Sequence, residues 1–236
     1  MENKKIPIGA SNQYVRLVKA AKQYYMDFRM NLTKNTGKFA GYSILLMFIL
    51  GVTTLMGLDS KIIVKGDTAA TINNITANQF DFWIGIIGYL IILILDVIFS
   101  LAIYVIFKST NKTYSLVTSI LRLVYAGIAL ISLIALAFYY SNVYVNGLLI
   151  AYLFFVLHLF FLGITILKTN YVPKFFGILL VAAAPFYIIM TYGHLFLATD
   201  LLNLLSTIVM GPAILAELLF GIWLLVKSKM IPNIAN

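Results

Sequence analysis

Long, nearly uninterrupted apolar runs constrain the fold of this chain more than any other feature. A helix needs roughly 20 apolar residues to cross a bilayer, and a chain in lipid must pair its own backbone polar groups, as a helix does. The runs are Phe39–Leu58, Phe82–Phe107, Ser115–Tyr140, Leu148–Leu167, Phe175–Tyr192 and Ser206–Val226. The sequence therefore predicts an all-α integral membrane protein, built as a bundle of six transmembrane helices.

Composition supports this class and excludes others. The 236 residues are 62% hydrophobic and 11% charged, whereas a soluble domain carries roughly twice that share of charge. No cysteine is present, which excludes disulfides, thiolate metal sites and thiol catalysis. The net charge of +9 is explained by where lysine and arginine fall, and no motif indicates nucleic-acid binding.

The distribution of lysine and arginine predicts the orientation. With the N-terminus in the cytoplasm, fourteen of these residues lie inside and two, Lys61 and Lys65, lie outside. A five-span alternative would omit Phe175–Tyr192, which is short and contains Pro185, but it would move inner charges outside. We therefore predict a multi-pass protein of the cell membrane with both termini in the cytoplasm.

The first 38 residues form a basic cytoplasmic tail, residues 39–229 the transmembrane domain, and residues 230–236 a short cytoplasmic tail. Apolar residues of the N-terminal tail share one helical stripe, while several basic residues face elsewhere. The stripe consists of Tyr14, Val18, Ala21, Tyr25, Phe28 and Leu32. This basic amphipathic pattern predicts a helix on the anionic inner leaflet, with membrane lipids as its partner. Alternatively, the tail only fixes the topology.

The longest outer loop contains a helix start. Asp67 is placed to cap a short helix over Thr68–Ala77. We expect this helix at the outer interface, either as a simple connector or as a lid.

Four titratable side chains lie deep within the apolar runs: Asp96, Arg122, His158 and Glu217. A charge at the bilayer centre costs at least about 2.5–3.5 kcal/mol, so such residues are retained for a reason. At about 1.5 Å per residue, all four fall in one layer roughly 12–18 Å from the cytoplasmic boundary. We take them as candidates for ligand binding or a proton relay.

Polar neighbours at helical spacing are expected to point into the bundle with them. These are Tyr89, Ser100 and Tyr104 on the second span, and Thr118 and Tyr125 on the third. Asp96 and Arg122 are expected to form a buried salt bridge, which alternatively only fixes the helix register. Glu217 then has three options: it is protonated, it shares Arg122, or it pairs with a protonated His158.

Three functions are compatible with such a layer. It can bind a small molecule, in a proton-coupled permease or a ligand-responsive protein. It can serve an intramembrane enzyme acting on a lipid or small molecule, with Glu217 and His158 as acid and base. It can be purely structural, in an accessory or immunity protein. A metal site made of Asp96, His158 and Glu217 is possible, but no closely spaced metal motif is present, so we predict neither metal nor cofactor. The sequence leaves the oligomeric state open.

Several stretches resemble a bacterial family of six-helix membrane proteins known as domain-of-unknown-function 4386. They are GDTAATINNITANQF (Gly66–Phe80), LDVIFSLAIYVIFKSTNK (Leu95–Lys112), LRLVYAGI (Leu121–Ile128), FFVLHLFFLGITILKTNYVPKFFGILL (Phe154–Leu180) and AELLFGIWLLVKSK (Ala216–Lys229). All four buried titratable residues fall within these stretches. The resemblance implies the same fold and membrane location from about Phe39 to Lys229, and it implies no chemistry.

Overall fold

A computed structural model describes residues 8–193 and 214–231, with side chains for residues 15–24, 35–54, 57–189, 191–193 and 214–231. This part of the chain is helical and contains no strand. The helices are α1 (Ile8–Thr54, continued by a π-helical turn at Leu55–Asp59), α2 (Thr68–Ala77), α3 (Gln79–Phe107), α4 (Lys112–Ala137), α5 (Ser141–Leu167), α6 (Lys174–Tyr192) and α7 (residues 214–227, followed by a 3-10 turn at Ser228–Met230).

Four of these segments are long and apolar enough to cross a membrane: Asn35–Asp59, Gln79–Phe107, Lys112–Ala137 and Ser141–Leu167. Large apolar side chains on them point outward, for example Ile131, which is 67% exposed. Lipid would cover such side chains, whereas water would not favour them. α6 is 19 residues long, and its apolar stretch with described side chains is Lys174–Ile189. Of the predicted sixth span, residues 206–213 lie outside the described part of the chain and residues 214–226 are helical.

The N-terminal tail and the first span form one helix. α1 runs without interruption from Ile8 to Thr54, a length of 47 residues, or about 70 Å at 1.5 Å per residue. The hydrocarbon core is about 30 Å thick, so an α1 in a membrane extends well beyond it. In the tail, the described side chains of residues 15–24 are all exposed. Contact of the tail with the inner leaflet stays a prediction.

The fourth apolar helix begins earlier than predicted. The sequence placed its start at Leu148, because polar residues precede that position, but α5 begins at Ser141. The extra turns are stabilised by contacts with other segments. Tyr144 donates a hydrogen bond to Asp59 over 2.9 Å, and Ser141 donates one to Thr68 over 3.3 Å.

The predicted loop helix is confirmed. The backbone N–H of Ala70 donates to Asp67 Oδ1 over 2.9 Å, which makes Asp67 the N-cap of α2. Gly66 precedes it with a φ of +82°, a conformation that glycine adopts without strain. Thr71 is fully buried and Ile75 nearly so, which shows that α2 is packed against the bundle.

Serine side chains hold the α3–α4 hairpin together. Ser100 donates to the carbonyl oxygen of Ser119 over 2.7 Å, and Ser119 donates back to the carbonyl oxygen of Ser100 over 2.9 Å. Ser115 donates in the same way to Tyr104. These bonds fix the register between α3 and α4, which carry Asp96 and Arg122.

A close contact between two glycines brings α7 against α1. A Cβ atom on Gly41 would lie 2.7 Å from the carbonyl oxygen of Gly221, and one on Gly221 would lie 2.8 Å from Ile44. Any larger residue would therefore push the two helices apart. Glu217 lies one helical turn before Gly221, so this contact sets its position relative to the rest of the bundle.

Candidate functional site

The four titratable residues predicted to share one layer meet in the interior of the bundle. Each comes from a different helix: Asp96 from α3, Arg122 from α4, His158 from α5 and Glu217 from α7. We call them the charged cluster. The guanidinium of Arg122 is at its centre and contacts the other three side chains.

The ion pair predicted between Asp96 and Arg122 is present. Both Nε and Nη2 of Arg122 lie 2.7 Å from the same oxygen, Oδ1 of Asp96. Only 2% of the aspartate and 4% of the arginine side chain is exposed. A charge-assisted hydrogen bond from Nε and the equally short ion-pair contact of Nη2, both buried, make this the strongest contact of the cluster.

His158 is held by one hydrogen bond at each ring nitrogen. Nδ1 lies 2.8 Å from the carbonyl oxygen of Thr118, which can only accept, so Nδ1 carries a proton. Nε2 lies 3.0 Å from Nη1 of Arg122, which can only donate, so Nε2 is unprotonated. The contacts therefore favour a neutral imidazole in the Nδ1–H form.

Glu217 takes the second of the three options left open by the sequence: it shares Arg122. Nη1 of Arg122 donates to Glu217 Oε1 over 3.4 Å, longer than the bonds to Asp96. The glutamate side chain is 19% exposed, far more than its partners. Glu217 is thus the most loosely held member of the charged cluster.

Three further residues complete the surroundings of Arg122, and the sequence reasoning missed them. Nη2 lies 3.9 Å from the sulfur of Met47, and the guanidinium carbon lies 4.4 Å from the ring centre of Phe99 and 5.4 Å from that of Phe155. Such contacts of an arginine with aromatic rings are favourable, especially away from water. A signal was available, because Phe99 follows Asp96 by three positions and Phe155 precedes His158 by three, which puts each pair on one helix face.

A cavity of about 160 Å³ adjoins the charged cluster. Its walls come from α1, α3, α4, α5 and α7. Asp96, Arg122, Tyr125 and Glu217 supply its polar groups. Apolar and aromatic side chains form the remaining wall: Ile44, Met47, Phe48, Ile92, Phe155, Ile214 and Leu218. A few polar groups converging on an apolar cavity is the usual architecture of a small-molecule site.

The five supporting polar residues fall in different places. Tyr125 lines the cavity, and Thr118 holds His158 through its carbonyl oxygen. Ser100 belongs to the serine contacts of the hairpin. Tyr104 lies near the end of α3, with Lys108 5.9 Å from its ring centre, and does not line the cavity.

Tyr89 belongs to a group of tyrosines between the cluster and the α2 end of the bundle. Its ring packs edge-on against Tyr144, with centres 6.5 Å apart, and Tyr144 donates to Asp59. Tyr152 packs 6.2 Å from Tyr125, measured between ring centres. These phenols provide polar groups along the bundle between Asp59 and the cavity.

The cluster is not arranged as a metal centre. Within residues 8–193 and 214–231, no group of three histidine, aspartate or glutamate side chains is placed to hold a metal ion. Asp96, His158 and Glu217 surround the guanidinium of Arg122, which lies where a metal ion would have to lie to be bound by all three side chains.

A comparison with protein families identifies the family of this chain. The chain matches the family described as "Domain of unknown function (DUF4386)" over residues 39–141 and 135–228. It is also similar to an "Uncharacterized protein" of Archaeoglobus fulgidus, with 33% identity over 156 residues that cover 64% of this chain and 88% of the relative. No solved structure matches. The family match covers most of the chain and includes every member of the charged cluster, and the chain therefore belongs to the DUF4386 family.

Proposed function

We propose that this chain is a six-span protein of the cell membrane with both termini in the cytoplasm. The four helices of membrane length supply the first four spans, and α6 and the helix that contains residues 214–227 supply the fifth and sixth. The lysine and arginine distribution, fourteen inside against two outside, supports this orientation.

We further propose that the chain is a small-molecule permease in which Glu217 exchanges a proton as the ligand enters or leaves. The observation that carries this proposal is the cavity of about 160 Å³ beside the charged cluster. A purely structural ion pair needs no cavity, and well-packed interiors contain few voids larger than a water molecule. Glu217 lines this space and is the loosest partner of Arg122, which suits a group that changes partners.

The geometry favours binding over hydrolysis. An acid–base pair made of Glu217 and His158 would require a ring nitrogen of His158 that can reach a substrate or a water. Both nitrogens are already engaged, Nδ1 with Thr118 and Nε2 with Arg122. His158 instead positions the guanidinium.

Proton movement in vesicles tests this function. The full chain is reconstituted into liposomes that contain a pH-sensitive dye, and small amines, carboxylates, alcohols and sugars are added one at a time under a proton gradient. At least one solute is expected to change the internal pH, and Glu217→Gln is expected to abolish that change.

The matched control is Asp81→Asn, which removes another carboxylate at an exposed ion pair with Lys61; neither residue of this pair lines the cavity. Exposed ion pairs contribute little to stability, so this variant should fold normally. Its pH response in vesicles should therefore equal that of the wild-type protein. A response that survives Glu217→Gln, or no response to any solute, contradicts the proposal.

A further inference from the structure

Three residues that line the cavity, Asp96, Tyr125 and Glu217, each have a polar atom with unused hydrogen-bonding capacity. Arg122 directs its hydrogen bond and its ion-pair contact with Asp96 to Oδ1, and its bond with Glu217 to Oε1. Among the described residues, none donates to Asp96 Oδ2 or Glu217 Oε2, and none bonds the hydroxyl of Tyr125. Asp96 and Tyr125 are 2% and 6% exposed, so water at the protein surface does not satisfy them.

Such groups point to a missing partner. Buried polar atoms are nearly always hydrogen-bonded, and a buried tyrosine hydroxyl in particular usually has a partner. All three atoms are oxygens that accept hydrogen bonds. A primary ammonium group carries three N–H donors and no acceptor, and therefore matches this set.

The balance of charge around the cavity indicates the same ligand class. When ionised, Asp96 and Glu217 supply two negative charges, and Arg122 supplies one positive charge. His158, from α5, is neutral by its hydrogen bonds, and the α1 residues that line the cavity are uncharged. One negative charge thus lacks a partner, and in an apolar interior it requires either a proton or a bound cation.

The walls fit an organic cation better than an inorganic one. Three aromatic residues, Phe48, Tyr125 and Phe155, line the cavity, and aromatic rings attract ammonium groups. The volume of about 160 Å³ is close to that of a cavity of roughly 150 Å³ known to hold benzene in another protein. A primary amine with an apolar body of about this size would occupy the space.

We propose that the cavity binds a small primary organic ammonium ion, whose N–H groups bond Asp96 Oδ2, Glu217 Oε2 and the Tyr125 hydroxyl. The cation replaces a proton on Glu217, so that one positive charge enters the site as one leaves. This ligand class rests on the proposed function, since it uses the same cavity.

Direct binding to the full chain in lipid nanodiscs tests the ligand class, with benzylammonium as the probe and calorimetry as the readout. Two analogues of similar shape serve as comparisons: benzyl alcohol, which is uncharged, and benzoate, which is negatively charged. We expect benzylammonium to bind, and both analogues to bind at least about tenfold more weakly, because each loses a charge-assisted hydrogen bond. Sodium and potassium chloride test inorganic cations at the same site.

Two conservative variants locate the binding. Glu217→Gln should weaken benzylammonium binding about tenfold or more, and Tyr125→Phe about two- to tenfold, the usual range for charged and neutral hydrogen bonds. Tyr104→Phe, whose hydroxyl lies outside the cavity lining, should bind like the wild-type protein. Tyr125→Phe and the ligand series on the wild-type chain remain informative if Glu217→Gln fails to fold.

The ligand class would be overturned if benzyl alcohol bound as tightly as benzylammonium or if benzoate bound more tightly. It would also be overturned if sodium or potassium alone bound in a way that depends on Glu217, or if Glu217→Gln and Tyr125→Phe both bound benzylammonium like the wild-type protein. The two proposals fail separately. If benzylammonium binds as expected but no solute moves protons in vesicles, transport fails and the ligand class stands. If a solute of another class drives Glu217-dependent proton movement, the ligand class fails and transport stands.

Discussion

Arg122 and His158 share a hydrogen bond of 3.0 Å in which Nη1 of the arginine donates to Nε2 of the histidine. This bond requires an unprotonated Nε2, because the N–H groups of arginine can only donate. A proton on Nε2 would point at one of these N–H groups, and the two donors would repel each other. The histidine therefore acts as a neutral acceptor that orients the guanidinium, and the carboxylates supply the negative charge of the cluster.

Nitrogen-15 NMR of the protein labelled at histidine tests this state. The chain has two histidines, so His194→Gln leaves the signal of His158 alone. At pH 7 we expect the shifts of a neutral ring with its proton on Nδ1, as the bond to Thr118 requires. A doubly protonated ring, or a proton on Nε2, would contradict the assignment.

Removing one charge of the buried ion pair should destabilise the protein more than replacing both. Arg122→Met alone leaves Asp96 as a buried charge without its cation, which costs about 3–5 kcal/mol in comparable cases, and Asp96→Leu leaves Arg122 with only its longer contact to Glu217. The double variant should recover much of this loss, with Glu217 protonated once its cation is gone. Thermal unfolding in one detergent compares the three variants, and a double variant that is as unstable as the sum of the two single variants would argue against a coupled pair.

Separating α1 from α7 should disturb the cluster from a distance. Gly41→Ala would place a methyl group 2.5 Å from Leu225 and 2.7 Å from the carbonyl oxygen of Gly221. We expect a loss of about 1–3 kcal/mol in the free energy of unfolding, the usual cost of overpacking. We also expect a weaker pH response in the vesicle experiment, because Glu217 would move away from Arg122.

Gly127→Ala is the matched control for this change. Gly127 lies in α4 with no atom within 4 Å of the added methyl group. Alanine is preferred over glycine in helices by about 0.5–1 kcal/mol, so this variant should be neutral or slightly more stable. Equal effects of Gly41→Ala and Gly127→Ala would mean that the α1–α7 contact is not a constraint.

Contacts between the α3–α4 and α5–α6 connections should stabilise the end of the bundle opposite α2. The hydroxyl of Tyr171 donates to the carbonyl oxygen of Ile106 over 2.9 Å and lies 3.2 Å from the hydroxyl of Thr110. Tyr171→Phe should cost about 1 kcal/mol, the net value of a typical hydrogen bond, whereas Tyr140→Phe at a 65% exposed position should cost little. Chemical denaturation of both variants measures the difference, and equal stability would show that these bonds contribute nothing.

The sequence predicted the cluster because depth along a helix can be counted at a fixed rise per residue, and charged residues in apolar runs are conspicuous. That count placed Asp96, Arg122, His158 and Glu217 in one layer without any structure. The count could not predict which of these side chains lies closest to Arg122, because the rotation of each helix about its axis depends on how the helices pack. Met47 carries no charge or motif, so nothing in its own sequence context marks it as a neighbour of the guanidinium.

The boundaries of α1 and α5 were harder to predict for a related reason. Apolar runs mark the lipid-facing part of a helix, but a helix continues where other contacts support it. Tyr144 extends α5 through its bond to Asp59, a residue 85 positions earlier in the chain. By contrast, the start of α2 was predictable, because the cap by Asp67 depends on residues within one turn.

In the proposed function Glu217 is a cavity-lining carboxyl that exchanges its proton, whereas Asp96 is held by Arg122. A hydrophobic carbodiimide tests it directly, because this reagent reaches carboxyls from the membrane and modifies them only when a proton is available. The full chain in lipid vesicles is treated over a range of pH, and the label on each residue is quantified by mass spectrometry. We predict that Glu217 is labelled, that the labelling decreases as the pH rises, and that Asp96 stays unmodified. An unlabelled Glu217 at every pH, or labelling of Asp96 at the same rate, would contradict a proton-exchanging role for Glu217.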